Sequence, residues 1–116
     1  MMMRLLKILS LLTVVAALSS VVIAQERLAR EVVIPRGEHE LKGHFFVAKV
    51  GPAPAPAVVL LQGIPGAPGD VLDLGKRLSE AGIHVLTFNY SGTHGSGGEW
   101  TLANDQDDVR AAYDYI

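Results

Sequence analysis

The sequence predicts an α/β fold with parallel strands, and three observations carry that prediction. Residues 58–61 form an unbroken Val-Val-Leu-Leu run, which is typical of a strand covered on both faces. A helix of about eleven residues follows, with Asp70 as the expected N-cap and Gly82 as the stop. Its expected apolar face consists of Val71, Leu72, Leu74 and Leu78. Residues 83–88 are a second apolar strand, so the segment predicts a βαβ unit with a right-handed crossover.

Two further strands are predicted before this unit. Residues 31–35 read as a short strand that ends at a Pro-Arg-Gly turn signal, and residues 39–50 alternate in polarity. Together they predict an antiparallel hairpin at a sheet edge. Residues 51–56 contain three prolines and are expected to form a stiff connector into the central strand.

A last helix is predicted after a loop with four glycines at residues 89–98. Thr101 is its expected N-cap, and the helix should continue to Ile116. The residues expected on its buried face are Leu102, Val109, Ala112, Tyr113 and Ile116. The acidic residues expected on its solvated face are Asp105, Asp107 and Asp108. A metal site at these carboxylates is disfavoured because no histidine stands at ligand spacing.

The first 24 residues predict a secretory signal peptide. A short cationic start containing Arg4 and Lys7 precedes an apolar stretch over residues 8–24, and the chain then turns polar. We expect cleavage after Ala24, with residues 25–116 exported to the periplasm or secreted. The alternative is an uncleaved N-terminal membrane anchor, because the apolar stretch approaches the roughly 18 residues that span a bilayer.

Composition excludes several classes of function. Removing residues 1–24 leaves 92 of the 116 residues, and the leader takes two of the ten basic residues. The remainder therefore carries 8 basic and 12 acidic residues, a formal charge of −4, without a basic patch. We accordingly expect no nucleic-acid partner. The chain has no cysteine, which excludes disulfides and thiolate metal sites.

The turn after the first apolar strand is made almost wholly of glycine and proline. Its sequence over residues 62–66 is Gln-Gly-Ile-Pro-Gly, and the glycines let the backbone turn sharply and expose N–H groups, as a developing negative charge requires. Strand and turn resemble the third strand and oxyanion turn of the α/β-hydrolase family, usually His-Gly-x-Pro-Gly. Gln62 stands where that family most often has histidine. Residues 88–96 also resemble the family's aromatic-x-Tyr-x-Gly-x-Gly-x-Ser stretch, with one extra residue between the glycines.

The resemblance covers about residues 31–116 and implies the N-terminal half of an α/β-hydrolase sheet, an edge hairpin followed by β-α-β-α. It implies an oxyanion donor at the backbone N–H of Ile64, with Gly63 allowing the approach. The chain has no Gly-x-Ser-x-Gly nucleophile motif and no late histidine. We therefore expect an incomplete, inactive part of an exported serine hydrolase, serine aminopeptidase-like or esterase-like. Such an enzyme would cleave a small-molecule or peptide substrate without a cofactor or metal.

Other polar residues are weaker candidates. His94 is a possible substrate contact because it should lie beside the oxyanion turn, whereas His84 should be a satisfied residue inside a strand. Ser96 lies between glycines in a loop, so a loop role is favoured over a nucleophile. Nucleotide binding is disfavoured, because the glycines at 63, 66 and 69 lack the Gly-x-Gly start of a dinucleotide turn. The remaining alternative is a small secreted, non-catalytic binding domain.

Overall fold

The structure is a computed structural model that describes residues 1–8, 29–63 and 68–116. The predicted leader and its cleavage site at Ala24 lie largely outside these residues, since residues 9–28 are not among them. Within the described ranges, no helix combines the length and the apolar character needed to cross a bilayer.

Four strands form one mixed sheet, in the order β1-β2-β4-β3. The strands are β1 (Ala29–Arg36), β2 (His39–Phe46), β3 (Ala57–Leu60) and β4 (His84–Phe88). The pairs β1–β2 and β2–β4 are antiparallel, and β3–β4 is parallel. The predicted edge hairpin and the predicted parallel pair are thus both confirmed. The second hairpin strand ends at Phe46, four residues earlier than predicted.

The two predicted helices are present, and the first is shorter than predicted. A 3-10 turn, Val71–Asp73, precedes α1 (Leu74–Glu80), and α2 spans Leu102–Tyr115. Leu72 and Asp73 have left-handed backbones with φ of 52° and 57°, which is why α1 has only seven residues.

Thr101 is the N-cap of α2 as predicted, whereas the N-cap position of α1 is Asp73, and the predicted Asp70 precedes the 3-10 turn and reaches α1 with its side chain. The Asp70 carboxylate accepts hydrogen bonds from the backbone N–H groups of Gly75 (2.6 Å) and Lys76 (2.9 Å). The Thr101 hydroxyl accepts from the N–H of Asn104 at 3.0 Å. Each bond satisfies a donor that has no partner within its own helix.

The helices pack on opposite faces of the sheet, since Leu41 and Phe46 of β2 point to opposite sides. The α2 face holds the apolar core, which contains Val32, Ile34, Leu41, Leu86, Phe88, Tyr90 and Ala112. On the α1 face, Gly75 lies against the Phe46 ring, and a Cβ there would come within 3.2 Å of it.

The prediction that residues 58–61 are covered on both faces is wrong for this structure. β3 pairs only with β4 among the described strands and is an edge strand of the sheet. Val58 is 36% exposed and Leu61 45% exposed. The apolar run therefore has a parallel neighbour on one side and an open edge on the other.

The predicted buried face of α2 is confirmed for Ala112 and, in part, for the half-buried Val109, and is wrong for its other three residues. The buried residues of α2 are Asp105, Asp108 and Ala112, whereas Leu102, Tyr113 and Ile116 are exposed. The reason is a specific polar network around Asp108, which a count of apolar residues does not register. Leu72 of the 3-10 turn and Leu74 of α1 are likewise exposed and not part of a buried face.

Candidate active site

The candidate site lies where the parallel strands β3 and β4 end. Gln62 and Gly63 follow β3, and Asn89 follows β4 directly. Because the carboxyl ends of parallel strands meet at the same edge of a sheet, these residues come together there. In open α/β sheets this edge is the usual position of ligand sites.

Gln62 is buried, and its polar groups bind residues from two other parts of the chain. Its side-chain nitrogen donates to Asn89 Oδ1 at 3.1 Å and to the carbonyl of Gly69 at 3.4 Å. The Tyr90 hydroxyl donates to the Gln62 carbonyl at 3.4 Å. Gln62 thus joins the end of β3, the far end of the glycine-proline turn and the end of β4.

Asn89 extends this network to the loop after β4. Its side-chain nitrogen donates to the carbonyl of His94 at 3.0 Å, and its backbone N–H donates to the carbonyl of Lys42 at 2.8 Å. Asn89 is 6% exposed, so both ends of its amide are used inside the protein. The sequence reasoning missed Asn89. Its position directly after a strand parallel to β3 was the signal that could have identified it.

The predicted oxyanion residues Gly63 and Ile64 are described only in part. Gly63 is exposed, and a Cβ placed on it would meet no atom of the described residues within 4 Å, its chain neighbours aside. Ile64 lies outside the described residues. Its role as the backbone donor therefore stays a prediction.

His94 lies in the loop after β4, and its predicted position beside Ile64 stays a prediction because residues 64–67 are outside the described residues. It is exposed, has a φ of 43°, and lines a cavity of about 370 Å³ together with His44, Pro68 and Asn89. Pro68, which follows the turn, is one of the residues that line this cavity. A substrate contact by His94 stays a prediction.

His84 and Ser96 have structural partners. The His84 Nδ1 atom accepts from the backbone N–H of Ala48 at 2.9 Å, and its ring stacks on Phe45 with centroids 5.5 Å apart. The Ser96 hydroxyl donates to the Asn89 carbonyl at 2.7 Å and accepts from the Lys42 N–H at 2.9 Å. Ser96 therefore joins the loop to β2.

A second buried network centres on Asp108, which is fully buried. Its carboxylate accepts from the backbone N–H of Ser91 (2.7 Å), the Ser91 hydroxyl (2.8 Å) and the Arg36 Nε atom (2.9 Å). The His39 Nε2 atom lies 2.8 Å from the same hydroxyl oxygen. Because the hydroxyl proton goes to Asp108, His39 Nε2 is the donor to Ser91. The network ties α2, β1 and the loop after β4 together.

Asp105 is buried beside this network, and neither of its carboxylate oxygens has a hydrogen-bond partner among the described residues. Burial raises the pKa of the Asp105 carboxyl, and the charge of Asp108 raises it further; the nearby Trp100 side chain offsets part of this. Burial and the same two carboxylates also raise the pKa of Tyr90. The interpretation of Asp105 and Asp108 as a solvated face is therefore wrong. Of the three aspartates predicted on a solvated face, only Asp107 lies there, with 57% of its side chain exposed.

The residues described at this edge can orient a turn and a loop. Ser91 is in hydrogen-bond contact with His39 and with Asp108, but it lies between them and its proton goes to Asp108, so the three do not have the order of a nucleophile, base and acid. No group of three or more His, Asp or Glu side chains in the described ranges could hold a metal ion. The described residues at this edge supply buried amides beside the turn, and hydrogen-bond donation from the turn itself stays a prediction.

No protein-family model and no curated protein matches the chain. Several solved structures do. Est1E from Butyrivibrio proteoclasticus with ferulic acid bound is 21% identical, and the match covers 72% of this chain and 36% of Est1E with a TM-score of 0.65. An α/β serine hydrolase homologue from Coxiella burnetii is 20% identical, with 75% and 44% covered and a TM-score of 0.66.

A third structure, XC6422 from Xanthomonas campestris, is an α/β serine hydrolase without a lid. It is 20% identical, with 76% of this chain and 44% of XC6422 covered and a TM-score of 0.62. The chain spans less than half the length of each of these structures. At these identities the likeness establishes the fold, and the described residues have part of the α/β-hydrolase fold.

Proposed function

We propose that this chain is the N-terminal part of an exported serine hydrolase that cleaves esters or amides through an acyl-serine. The observation that carries the proposal is the position of Gln62 and Gly63 at the carboxyl end of β3, supported by buried amides. The structural likeness to α/β serine hydrolases supports the same reaction class.

In the proposed reaction the turn stabilises charge and does not itself react. The serine oxygen attacks the carbonyl carbon, and the carbonyl electron pair moves onto its oxygen. The backbone N–H of Ile64 donates to that oxyanion, and the intermediate collapses by expelling the alcohol or amine. The acyl group then leaves the serine by attack of water. The nucleophile, acid and base of the proposed enzyme belong to residues that follow Ile116.

The proposed substrate is a small-molecule or peptide ester or amide, and His94 contacts it from the cavity beside the turn. Whether the enzyme is a peptidase or an esterase is tested by comparing an aminoacyl anilide with p-nitrophenyl acetate. A feruloyl ester belongs in the same panel, because one structural neighbour has ferulic acid bound.

The test uses the complete protein, expressed from its complete gene, and a fluorophosphonate probe. We expect one serine to be labelled, in a Gly-x-Ser-x-Gly motif within roughly 20 residues after Ile116. The 116-residue chain alone should be neither labelled nor active on p-nitrophenyl acetate. Labelling of Ser91 or Ser96, or a natural stop directly after codon 116, would contradict the proposal. A natural stop would favour the non-catalytic binding domain.

Export is the second part of the proposal. It is supported by the cationic start, the apolar stretch and the small residue Ala24. The exported protein should begin at Gln25 by N-terminal sequencing. Membrane-bound protein with an intact leader would instead support the anchor.

A further inference from the structure

We propose that His84 is a pH-sensitive latch on the segment between β2 and β3: its neutral imidazole holds the segment, and protonation releases it. This β2–β3 segment, residues 47–56, begins after Phe46 and leads to Ala57. The backbone N–H of Ala48 donates to His84 Nδ1 at 2.9 Å, and this bond is called the His84 latch. It lies at the amino end of β4, at the edge of the sheet opposite to the candidate site, so it goes beyond the reaction proposed above.

The His84 latch exists in only one protonation state of the ring. A backbone N–H can only donate, so Nδ1 must present its lone pair to Ala48, and the single ring proton is then on Nε2. An imidazolium has a proton on both nitrogens. Uptake of a proton therefore places two N–H groups opposite each other, and the latch breaks. A bond to a backbone carbonyl has no such dependence, because the carbonyl does not titrate.

The strand that carries the ring is held independently of the latch. Strand β4 pairs with β2 on one side and with β3 on the other, and the His84 N–H donates to the Pro56 carbonyl at 2.8 Å. The imidazole ring stacks on Phe45, with centroids 5.5 Å apart and 25° between the planes. A cation over an aromatic face is also favourable, so this contact survives protonation. The part that moves on protonation is therefore the segment and not the histidine.

Little else holds the start of the β2–β3 segment. Its first residues are largely exposed. The Lys49 N–H donates to the Ser79 carbonyl at 2.9 Å, and Lys49 Nζ lies 3.1 Å from Glu80 Oε1 in an exposed ion pair, a kind that contributes little. His84 and residues 48–55 also line a cavity of about 280 Å³, so side chains do not fill all the space between the ring and the segment. Loss of the latch leaves this region with few contacts that oppose opening.

The charged groups on the elements around the latch have both signs. The Arg30 guanidinium lies 5.6 Å from the centre of the Phe45 ring on which His84 stacks. Lys49 adds a second positive charge on the segment, and Glu80 of α1 pairs with it. The change that operates the latch is the proton on the imidazole itself. Imidazole side chains ordinarily take up their proton between about pH 8 and pH 5, so the latch should open in that range.

The test measures hydrogen exchange of the Ala48 amide in the complete protein at about pH 7.5 and about pH 5. Rates are expressed as protection factors, which remove the effect of pH on intrinsic exchange. His84→Asn keeps an acceptor that does not titrate, and His84→Phe keeps a ring for the stack and removes the acceptor. His44→Asn is the matched control, because His44 is also a half-buried histidine in a strand.

We expect the protection factor of Ala48 to fall about 10-fold or more between the two pH values in the wild-type protein and in His44→Asn. In His84→Asn it should change by less than about 2-fold, and in His84→Phe it should be low at both pH values. The Asn89 amide, which donates to the Lys42 carbonyl at 2.8 Å, is the internal reference and should stay protected. No fall in the wild-type protein, or an equal fall in His84→Asn, would overturn the proposal.

Nitrogen NMR of the imidazole tests the latch without any substitution. At about pH 7.5 Nε2 of His84 should be protonated and Nδ1 unprotonated, with a scalar coupling across the bond from the Ala48 N–H. At about pH 5 both nitrogens should be protonated and the coupling should be absent. A proton on Nδ1 at the higher pH, or a coupling that persists at the lower one, would refute the latch. If His84→Phe does not fold, His84→Asn and these spectra decide.

Discussion

The two sides of the sheet differ in how many of their polar groups are hydrogen-bonded and how much of their apolar surface is buried. The hairpin side, made of β1, β2 and the part of α2 around Asp108, has a fully buried carboxylate with three donors and an apolar core beneath it. The β3 side, made of β3, Leu61, the 3-10 turn and α1, has an open strand edge and exposed leucines. Both outer strands, β1 and β3, are edges of the described sheet, but only the hairpin side has a buried polar network and an apolar core beside its edge. We therefore expect the β3 side to be the one that needs a covering partner.

The largest expected effect concerns the open edge of β3. Residues 25–116 expressed alone should be aggregated or molten, because an unpaired apolar edge is a template for pairing with other chains. A few hundred Å² of apolar surface left in water would cost several kcal/mol at about 25 cal/mol per Å², comparable with a small domain's stability. Light scattering and thermal unfolding measure this. Restoring the downstream residues should give soluble, cooperatively folding protein.

A charged residue on the open edge of β3 should reduce the aggregation of residues 25–116. Val58→Lys should raise the soluble fraction of residues 25–116 several-fold, since lysine on an edge strand opposes pairing. Val47→Lys is the control, because Val47 is also exposed but lies past the end of β2. A monomeric wild-type fragment with a sharp unfolding transition would contradict the account of the β3 side and revive the small-domain alternative.

On the hairpin side, the largest single-residue effect should come from Asp108. Asp108→Ala leaves the Arg36 guanidinium and the Ser91 donors without their buried acceptor, which typically costs roughly 3–5 kcal/mol. The exposed neighbour provides the control: Asp107 also bonds Arg36, at 3.2 Å, and Asp107→Ala should cost less than about 1 kcal/mol. Urea unfolding of the complete protein compares the two. Equal losses would mean that the Asp108 network does not hold the hairpin side together.

Asp105, also on the hairpin side, is a buried carboxylate without a hydrogen-bond partner among the described residues. Its effect on the free energy of unfolding should depend on pH. The folded-state pKa is raised, so the ionised carboxylate destabilises the protein above that pKa, and this penalty disappears below the ordinary aspartate value, about 4. Asp105→Asn should therefore stabilise the complete protein by about 1 kcal/mol at pH 7.5. The gain over wild type should shrink as pH falls. Asp114→Asn, at an exposed position of the same helix, should show neither effect; a pH-independent Asp105→Asn difference would refute the explanation.

The smallest expected effect lies in the 3-10 turn of the β3 side. Leu72 is 93% exposed and has a φ of 52°, a conformation that costs a leucine more than a glycine. Leu72→Gly should stabilise the protein by about 0.5–1 kcal/mol. Leu102→Gly, at the exposed start of α2, should instead destabilise it by about as much, because glycine is a poor helix former. Losses of equal size in both variants would show that Leu72 is unstrained.

The sequence was sufficient for the order of elements, because each element depends on local signals. The Pro-Arg-Gly turn, the Thr101 cap and the glycine stop at Gly82 all occur where they were predicted, and Asp70 bonds the first turn of α1 although Asp73 holds its N-cap position. Strand pairing also followed, since an apolar strand, a helix and a second apolar strand favour a parallel pair.

The buried face of α2 could not be predicted in the same way. Asp108 is buried because Arg36, 72 residues away, and Ser91 reach it, and no local pattern contains that information. Part of the site was missed for a similar reason. Gly63 was predicted as a site residue from the sequence of the turn in which it lies. Asn89 belongs to the site because it contacts Gln62, which is 27 residues away in the chain. Long-range polar contacts are where this sequence was least informative.

The most direct test of the central claim is a structure of the complete protein after reaction with a fluorophosphonate, which leaves a tetrahedral phosphonyl group on the nucleophile. The account predicts that one phosphonyl oxygen lies about 3 Å from the backbone N–H of Ile64, with the Gln62 side chain still bonded to Asn89. A phosphonyl oxygen bound by other donors, with the turn at Gly63 and Ile64 facing away from it, would contradict the account.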